Sequence, residues 1–277
     1  MPTPYCPGSG RAIPWAAAFL FTLVASAALA GERLVLMGGG DRPQAALARF
    51  AQWAGGDDAR VLVVAWASSE PAESFASIRE DFSPYKFARL EMAPQPPLSS
   101  ADREGLVQKI ARATGVFFAG GDQARIMDVL RDQPLLAALR ERYGKGVVFG
   151  GTSAGTACMS SIMITGEGDF TVIDADKVEV RAGIGLLPGV ILDQHFVKRQ
   201  RQNRLFGLVL KHPGRLGVGI DEGSALLVED NRFAEVAGRT PVMIVDGRRE
   251  RGALVVELLR GGDAYDLEKR KRSKPRR

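Results

Sequence analysis

Ser153 stands in Gly151-Thr152-Ser153-Ala154-Gly155, directly after the apolar run Val147-Val148-Phe149. Gly-x-Ser-x-Gly at the end of a buried strand predicts a nucleophile elbow, a sharp strand-to-helix turn that pushes one hydroxyl into the open. Such a turn is strained and needs small neighbours, which Gly151, Ala154 and Gly155 supply. The helix that follows should aim its first N–H groups and the positive end of its dipole at Ser153, where an oxyanion would be stabilised. The same spacing also occurs in ordinary loops, so it does not define a nucleophile by itself.

A serine hydroxyl attacks only when a base removes its proton. The chain has two histidines, His195 and His212. His212 precedes Pro213 at the end of a helical pattern and suits a loop or cap. His195 closes the run Val190-Ile191-Leu192-Asp193-Gln194, again at a strand end. A catalytic histidine needs an acid that holds its tautomer and stabilises its cation, and Asp169, Asp193, Asp221 and Glu222 are the candidates. Asp193 lies two residues from His195 on the same strand face and is poorly placed to reach the ring. Asp221-Glu222 ends a further strand pattern, 217–220, and is the better source. Lys198-Arg199-Gln200-Arg201-Gln202-Asn203-Arg204 follows the histidine. It reads as a solvated helix face or, beside a base, as a cluster that grips carboxylates through bidentate guanidinium contacts. The second reading predicts an acidic or carboxylate-bearing substrate.

The elements that must carry these groups alternate. Short apolar runs at 32–37, 60–67 and 115–119 and the run before Ser153 read as strands covered on both faces. Helical spacing appears at 43–54, 75–82, 100–113 (capped by Ser100) and around Ile126, Met127 and Leu130. The alternation predicts an α/β fold with a mostly parallel sheet between helices, in which ligands gather beyond the carboxyl ends of the strands. Three glycine-rich strand ends, Gly38-Gly39-Gly40, Gly120-Gly121 and Gly150-Gly151, belong to that edge. No Gly-Lys-Ser/Thr motif accompanies them, and a nucleotide site is not supported. After the elbow the chain turns β-rich, with strand patterns at 177–181, 189–192, 217–220, 224–228, 233–236, 242–245 and 253–258 and a helix at 201–210. No internal repeat or second-domain linker interrupts it.

Residues 1–30 carry one charge, Arg11, then an apolar stretch and Ala28-Leu29-Ala30 before Gly31. That is the layout of a secretory signal, and it predicts a mature chain that starts near Gly31 and works in the periplasm or outside the cell. Of two cysteines, Cys6 falls in that segment and Cys158 remains alone, so neither an intrachain disulfide nor a cysteine-rich metal site is expected. Cys158 reads as a small buried apolar residue. The formal net charge is +5, of which Arg11 supplies one and residues 269–277 seven, leaving the body at −3. Residues 266–277 are therefore read as a basic, solvated, disordered tail, with a tether to an anionic polymer or surface as its alternative role. The rest, 31–265, suits one large catalytic domain.

Four blocks, Phe118-Ala119-Gly120-Gly121-Asp122-Gln123, Gly150-Gly151-Thr152-Ser153-Ala154-Gly155, Leu192-Asp193-Gln194-His195-Phe196 and Gly217-Val218-Gly219-Ile220-Asp221-Glu222, together resemble the signature blocks of the cyanophycinases. That serine peptidase family also contains the aspartyl dipeptidase peptidase E. The resemblance spans roughly residues 32–228. It implies a three-layer α/β/α sandwich akin to class I glutamine amidotransferases, with Ser153 as nucleophile, His195 as base and Glu222 as orienting acid. It implies an oxyanion hole at the N–H groups of Gly121 and Ala154, and a substrate pocket at Gln123, Asp193, Gln194, Arg199, Arg201 and Arg204. It implies catalysis without a metal or other cofactor, in proteins that often form homodimers. The implied substrate is cyanophycin, a poly-aspartate with arginine on each side-chain carboxyl, and the product β-aspartyl-arginine; neither nucleic acid nor a membrane, once the signal is removed, is a partner. The three arginines favour cyanophycinase over peptidase E. Gln200 and Asn203 depart from the family, which alternates glycines with the arginines, and Gly223 stands where a polar residue is usual. An exopeptidase of small aspartyl dipeptides and a non-catalytic binder of acidic polymers are the alternative readings.

Overall fold

The computed structural model describes residues 31–248 and 252–276, together with Met1 and Thr3. The expected export signal, residues 1–30, thus lies outside the described residues apart from those two positions. Five parallel strands form the heart of a nine-stranded sheet: β1 (Arg33–Met37), β2 (Arg60–Val64), β3 (Arg89–Met92), β4 (Gly115–Phe118) and β5 (Val148–Thr152), in the spatial order β1-β5-β4-β2-β3. Between them run α1 (Gln44–Ala54), α2 (Pro71–Asp81), α3 (Ser100–Arg112), α4 (Gln123–Val129) and α5 (Gln133–Gly144).

Alternation along the strands sorts the core into two layers. Val35 and Met37 of β1, Val61 and Val63 of β2 and Phe117 of β4 face α1 and α2 through Leu47, Phe50, Ile78 and Phe82. Leu34 and Leu36, Leu62 and Val64, and Val116 and Phe118 face the opposite way, toward Leu106 and Ile110 of α3 and Leu135 and Leu139 of α5. The α/β/α sandwich expected from the sequence results, with both faces of the parallel strands buried as their near-continuous apolar runs require.

After β5 come α6 (Ala154–Ala157), β6 (Ile162–Gly168), β7 (Val178–Ala182), β8 (Val190–Gln194), α7 (Gln202–Lys211), β9 (Leu216–Ile220), β10 (Ser224–Glu229), β11 (Phe233–Gly238), β12 (Val242–Asp246), β13 (Val255–Leu259), β14 (Ala264–Asp266) and β15 (Lys271–Ser273). β6 and β7 form a separate antiparallel pair. β10, β11, β14 and β15 extend the large sheet antiparallel from β1. β8, β9, β12 and β13 build a second, four-stranded sheet whose Leu192, Val218, Ile220 and Ile244 join the same core as α3 and α5. The two sheets meet where β8 and β9 bring their carboxyl ends to that of β1.

Several elements escape the periodicity. β3 is only half-buried, β6 ends in exposed polar residues, and α5 has a weakly patterned surface, so none stands out in the sequence. The cap of α3 is Ser99, not Ser100: its hydroxyl accepts the Asp102 N–H while the Asp102 carboxylate accepts the Ser99 N–H, a capping box.

The basic tail requires a correction. The segment read as disordered forms part of β14 and the whole of β15 and lies on the edge of the large sheet. Its charges are matched where they are buried. Arg270 donates to Asp246 at 2.6 Å and to the carbonyls of Pro213 and Gly214, and both members of that ion pair are nearly buried. Arg232 grips Asp266 through two nitrogens, and Arg276 lies over the Phe233 ring, 3.7 Å from its centroid. Like-charge repulsion predicts a solvated run only where no acids stand opposite; here Asp246, Asp263, Glu257 and Asp230 do. Arg270→Ala removes the shortest ion pair of Asp246, which keeps the Arg248 N–H at 3.0 Å, and is expected to lower the free energy of unfolding by about 2 kcal/mol, read from denaturant melts against wild type.

Candidate active site

β5 delivers Ser153 at the carboxyl edge of the parallel sheet. Its backbone stands at φ 53°, ψ −116°, a conformation that costs about 1–3 kcal/mol for a residue with a side chain. The surroundings hold it there. Its N–H donates to Met37 O at 3.1 Å, its carbonyl accepts from Thr156 and Ala157, and the Thr156 hydroxyl reaches both Met37 O and Gly151 O. Gly155 is required by close approach: a Cβ there would lie 2.2 Å from Phe118 O. The elbow predicted from Gly-x-Ser-x-Gly is therefore present. The helix after it is a single turn, α6, so what faces the serine is a set of local N–H groups rather than a long helix dipole.

β8 ends at His195, which also has positive φ, 48°. Its N–H donates to Gly38 O at 2.8 Å. The side chain is 8% exposed. Its Nε2 lies 2.7 Å from Ser153 Oγ and its Nδ1 2.6 Å from Glu222 Oε1. A carboxylate only accepts, so Nδ1 carries the proton and Nε2 is left to receive the serine's. The four acid candidates separate cleanly. Asp169 caps its own turn through Thr171, Asp193 binds Arg204, Asp221 accepts the N–H groups of Val197 and Lys198, and Glu222 meets the histidine.

Burial lowers the His195 pKa below its ordinary 6.5; Glu222 pulls it upward, and the charges of Arg199 and Arg201 add to the lowering. The ring is neutral at pH 7, the form in which it can accept a proton. Cys158 is fully buried, donates to Gly155 O and has its thiol pKa pushed up by burial, which leaves it inert beside the serine.

Gly120 and Gly121 follow β4 and abut the elbow: a Cβ on Gly120 would lie 3.4 Å from Ser153 Cβ. Neither Gly121 N nor Ala154 N donates to a protein acceptor among the described residues, so both N–H groups are free for an oxygen arriving at Ser153.

The predicted pocket residues behave less uniformly. Gln123 is buried and donates to Ile164 O at 2.7 Å. Arg204 and Asp193 are fully buried and form a bidentate pair, Nε to Oδ2 at 2.7 Å and Nη2 to Oδ1 at 2.5 Å. Arg204 also donates to Thr165 O and packs over the Phe170 ring at 4.6 Å. Arg201, 9% exposed, donates to Gln194 O at 2.8 Å, and burial with the neighbouring Arg204 pushes its pKa down to about 10. β6 thus joins Gln123 to Arg204, Asp193, Arg201 and Gln194 in one cluster. The expectation of three arginines open to a carboxylate is corrected: Arg199 alone is exposed. A buried guanidinium must be paired, and Asp193 already occupies the fork of Arg204. Gln194 Oε1 is buried without a partner. Gln200 adopts φ 53°, a left-handed conformation suited to glycine, and Asn203 Nδ2 holds the carbonyls of Phe170 and Thr171. His212 ends α7, outside the site.

Two contributors escaped the sequence reading. One is β6, whose carbonyls anchor Gln123 and Arg204. The other is Gly38-Gly39-Gly40, legible only as a strand end. A Cβ on Gly39 would lie 2.3 Å from His195 Cε1, and one on Gly40 would lie 3.0 Å from Glu222 Cβ. The glycine run is the wall against which the histidine and glutamate pack.

The family described as peptidase family S51 matches residues 34–236. A cyanophycinase of Synechococcus elongatus is 36% identical over 203 residues, covering 73% of this chain and 63% of that protein. A cyanophycinase of Geminocystis herdmanii is 36% identical over 206 residues, covering 73% and 75%. The matched stretch thus spans less than two thirds of the Synechococcus protein's own length. The crystal structure of a peptidase from an acI-B1 actinobacterium superposes with a TM-score of 0.66 at 20% identity, covering 86% of this chain and 98% of that one, and supports the fold.

Gly39→Ala, which combines a clash with the ring and a φ of 108°, is expected to cut hydrolysis by roughly 10²-fold or more through misplacement of His195, with the near-ultraviolet circular dichroism unchanged. A lowered histidine pKa means that the base is lost only as pH falls below 6.5. The acid limb of kcat/KM should therefore lie below pH 6.5, and Arg199→Gln, which removes a nearby positive charge, should move it to higher pH.

Proposed function

Because the chain belongs to peptidase family S51, we propose that it is a serine hydrolase that cleaves cyanophycin to β-aspartyl-arginine. The observation that carries the reading is the relay Ser153–His195–Glu222, with separations of 2.7 and 2.6 Å, next to two unengaged N–H groups. A product that keeps arginine on its side-chain carboxyl requires cleavage of the backbone amide between consecutive aspartates. Ser153 Oγ attacks that carbonyl carbon while His195 Nε2 takes the hydroxyl proton, and Glu222 stabilises the imidazolium. The carbonyl oxygen becomes an oxyanion held by the N–H groups of Gly121 and Ala154. The C–N bond then breaks, and His195 returns its proton to the leaving amine. Water, deprotonated by the same ring, hydrolyses the acyl-serine and frees the second product. No step of this sequence calls for a metal or an organic cofactor.

Substrate choice is assigned to the cluster of Gln123, Asp193, Gln194, Arg201 and Arg204, with Arg199 at its open side. Arg199 is the group that meets a substrate carboxylate directly. The Asp193–Arg204 pair frames the pocket. The layout of residues 1–30 supports a location outside the cytoplasm, where polymer released by other cells would be the substrate.

Ser153→Ala is expected to lower release of β-aspartyl-arginine from insoluble cyanophycin by roughly 10³-fold or more, read by mass spectrometry of the supernatant. Unchanged release by that variant would sink the proposal. Arg199→Glu should raise KM more than it lowers kcat, since it removes a binding contact and leaves the relay in place.

A further inference from the structure

A second concavity lies on the carboxyl edge of the parallel sheet, outside the triad. It is a cavity of about 330 Å³ lined by Trp66, Ser68, Gln95, Pro96, Arg125 and Asp128 among others. A neighbouring lobe of about 560 Å³ shares Pro96 and Asp128 with it and adds Arg131. The groove begins at the oxyanion loop. Asp122 N–H donates to Ala67 O at 2.9 Å, and a Cβ on Gly121 would lie 2.9 Å from Ser68 N. Trp66 and Ser68 follow β2, and Gln95 follows β3. The strand order β5-β4-β2-β3 sets the groove two to three strand spacings from Ser153, about 10–14 Å. An extended chain covers that distance in three or four residues at about 3.3–3.6 Å each.

The lining has a definite chemistry. Arg125 and Asp128 lie three residues apart on α4 and so share one face, and both are exposed. Among the described residues Asp128 is answered only by exposed arginines, Arg131 at 2.9 Å and Arg181 at 4.0 Å, and Arg125 has no acidic partner within ion-pair distance. Gln95 donates its Nε2 to Ala93 O at 2.8 Å, which fixes its orientation and leaves a buried Oε1 with no partner. Trp66, 3% exposed and tied through Nε1 to Pro94 O, forms the buried floor beneath these residues. The groove therefore presents an anion and a cation within one short stretch, above the buried Trp66.

We infer that this groove holds the polymer beyond the bond being cut, one zwitterionic arginyl branch at a time; the inference rests on the proposed cleavage of cyanophycin. Each branch ends in a guanidinium and carries a carboxylate at its other end. The guanidinium suits Asp128, and the carboxylate suits Arg125. A simple polyanion is repelled by Asp128 and a simple polycation by Arg125 and Arg131, so the pairing selects a substrate bearing both charges on one branch. The groove distinguishes long polymer from short fragments, which fill the catalytic pocket but do not reach α4.

The test uses the full chain carrying Ser153→Ala, so that binding is read without turnover, and measures its retention on insoluble cyanophycin at low salt. Arg125→Glu and Asp128→Lys, each added singly, should weaken retention by roughly fivefold, as expected for the loss of one exposed charge contact and its replacement by repulsion. The double exchange Arg125→Glu with Asp128→Lys restores one charge of each sign and should recover part of the loss. Unchanged retention in both single variants overturns the inference, as does absence of retention in the Ser153→Ala chain itself. Stronger retention by Asp128→Lys also overturns it, because it identifies simple attraction to a polyanion. The reading of the catalytic site stands or falls separately, on release of β-aspartyl-arginine by the active chain.

Discussion

The contact between the glycine run after β1 and the residue at the end of β8 governs the rest of this structure. Gly38 O accepts the His195 N–H at 2.8 Å, and Gly39 lies flat against the imidazole. Ser153 belongs to the large sheet, whereas His195 and Glu222 come from the strand ends of the small one. A serine relay split across two sheets works only if the sheets hold their spacing to a few tenths of an ångström. Backbone packed directly on the ring, with no side chain between, sets that spacing. The same run reaches the acid, since Gly39 O accepts the Gly223 N–H and Gly40 lies against Glu222.

Electrostatics around that contact follow from burial. Asp193, two residues before the histidine, points away from it and into the fork of Arg204, so that two charges taken out of water satisfy one another. This leaves Arg199 and Arg201 as the cations nearest the ring, and with burial they keep His195 in its neutral form. The pocket thus combines a fixed internal ion pair with one cation facing outward. The outward-facing Arg199 is also one of the two charges that tune the base.

The carboxyl-terminal strands show how pairing overrides composition. A run of seven cations would stay in water if nothing opposed it. β14 and β15 instead add to the large sheet because acids on β12, β13 and adjoining turns face each arginine that is drawn in. The edge of the sheet becomes cationic, and an exposed strand edge bearing lysines and arginines resists pairing with other chains.

Much of the site was legible before any fold was known. The elbow, the choice between two histidines, the preference for Asp221-Glu222 over Asp193, and the glycine-rich strand ends all come from residue type and spacing, because local backbone geometry needs small residues at sharp turns and chemistry needs a few residue types. The parallel core was likewise readable from apolar runs buried on both faces. Residue spacing left Asp221 and Glu222 open and only the family resemblance pointed to Glu222; three-dimensional packing alone decided which arginines turn inward, that Gly39 walls the histidine, and that the basic tail is a strand. Each of those depends on a partner distant in sequence: Ser153 and His195 are 42 residues apart, and Arg270 and Asp246 are 24 apart. Periodicity records which face of an element is apolar. It does not record what stands opposite, and for a buried charge the group opposite is what decides its role.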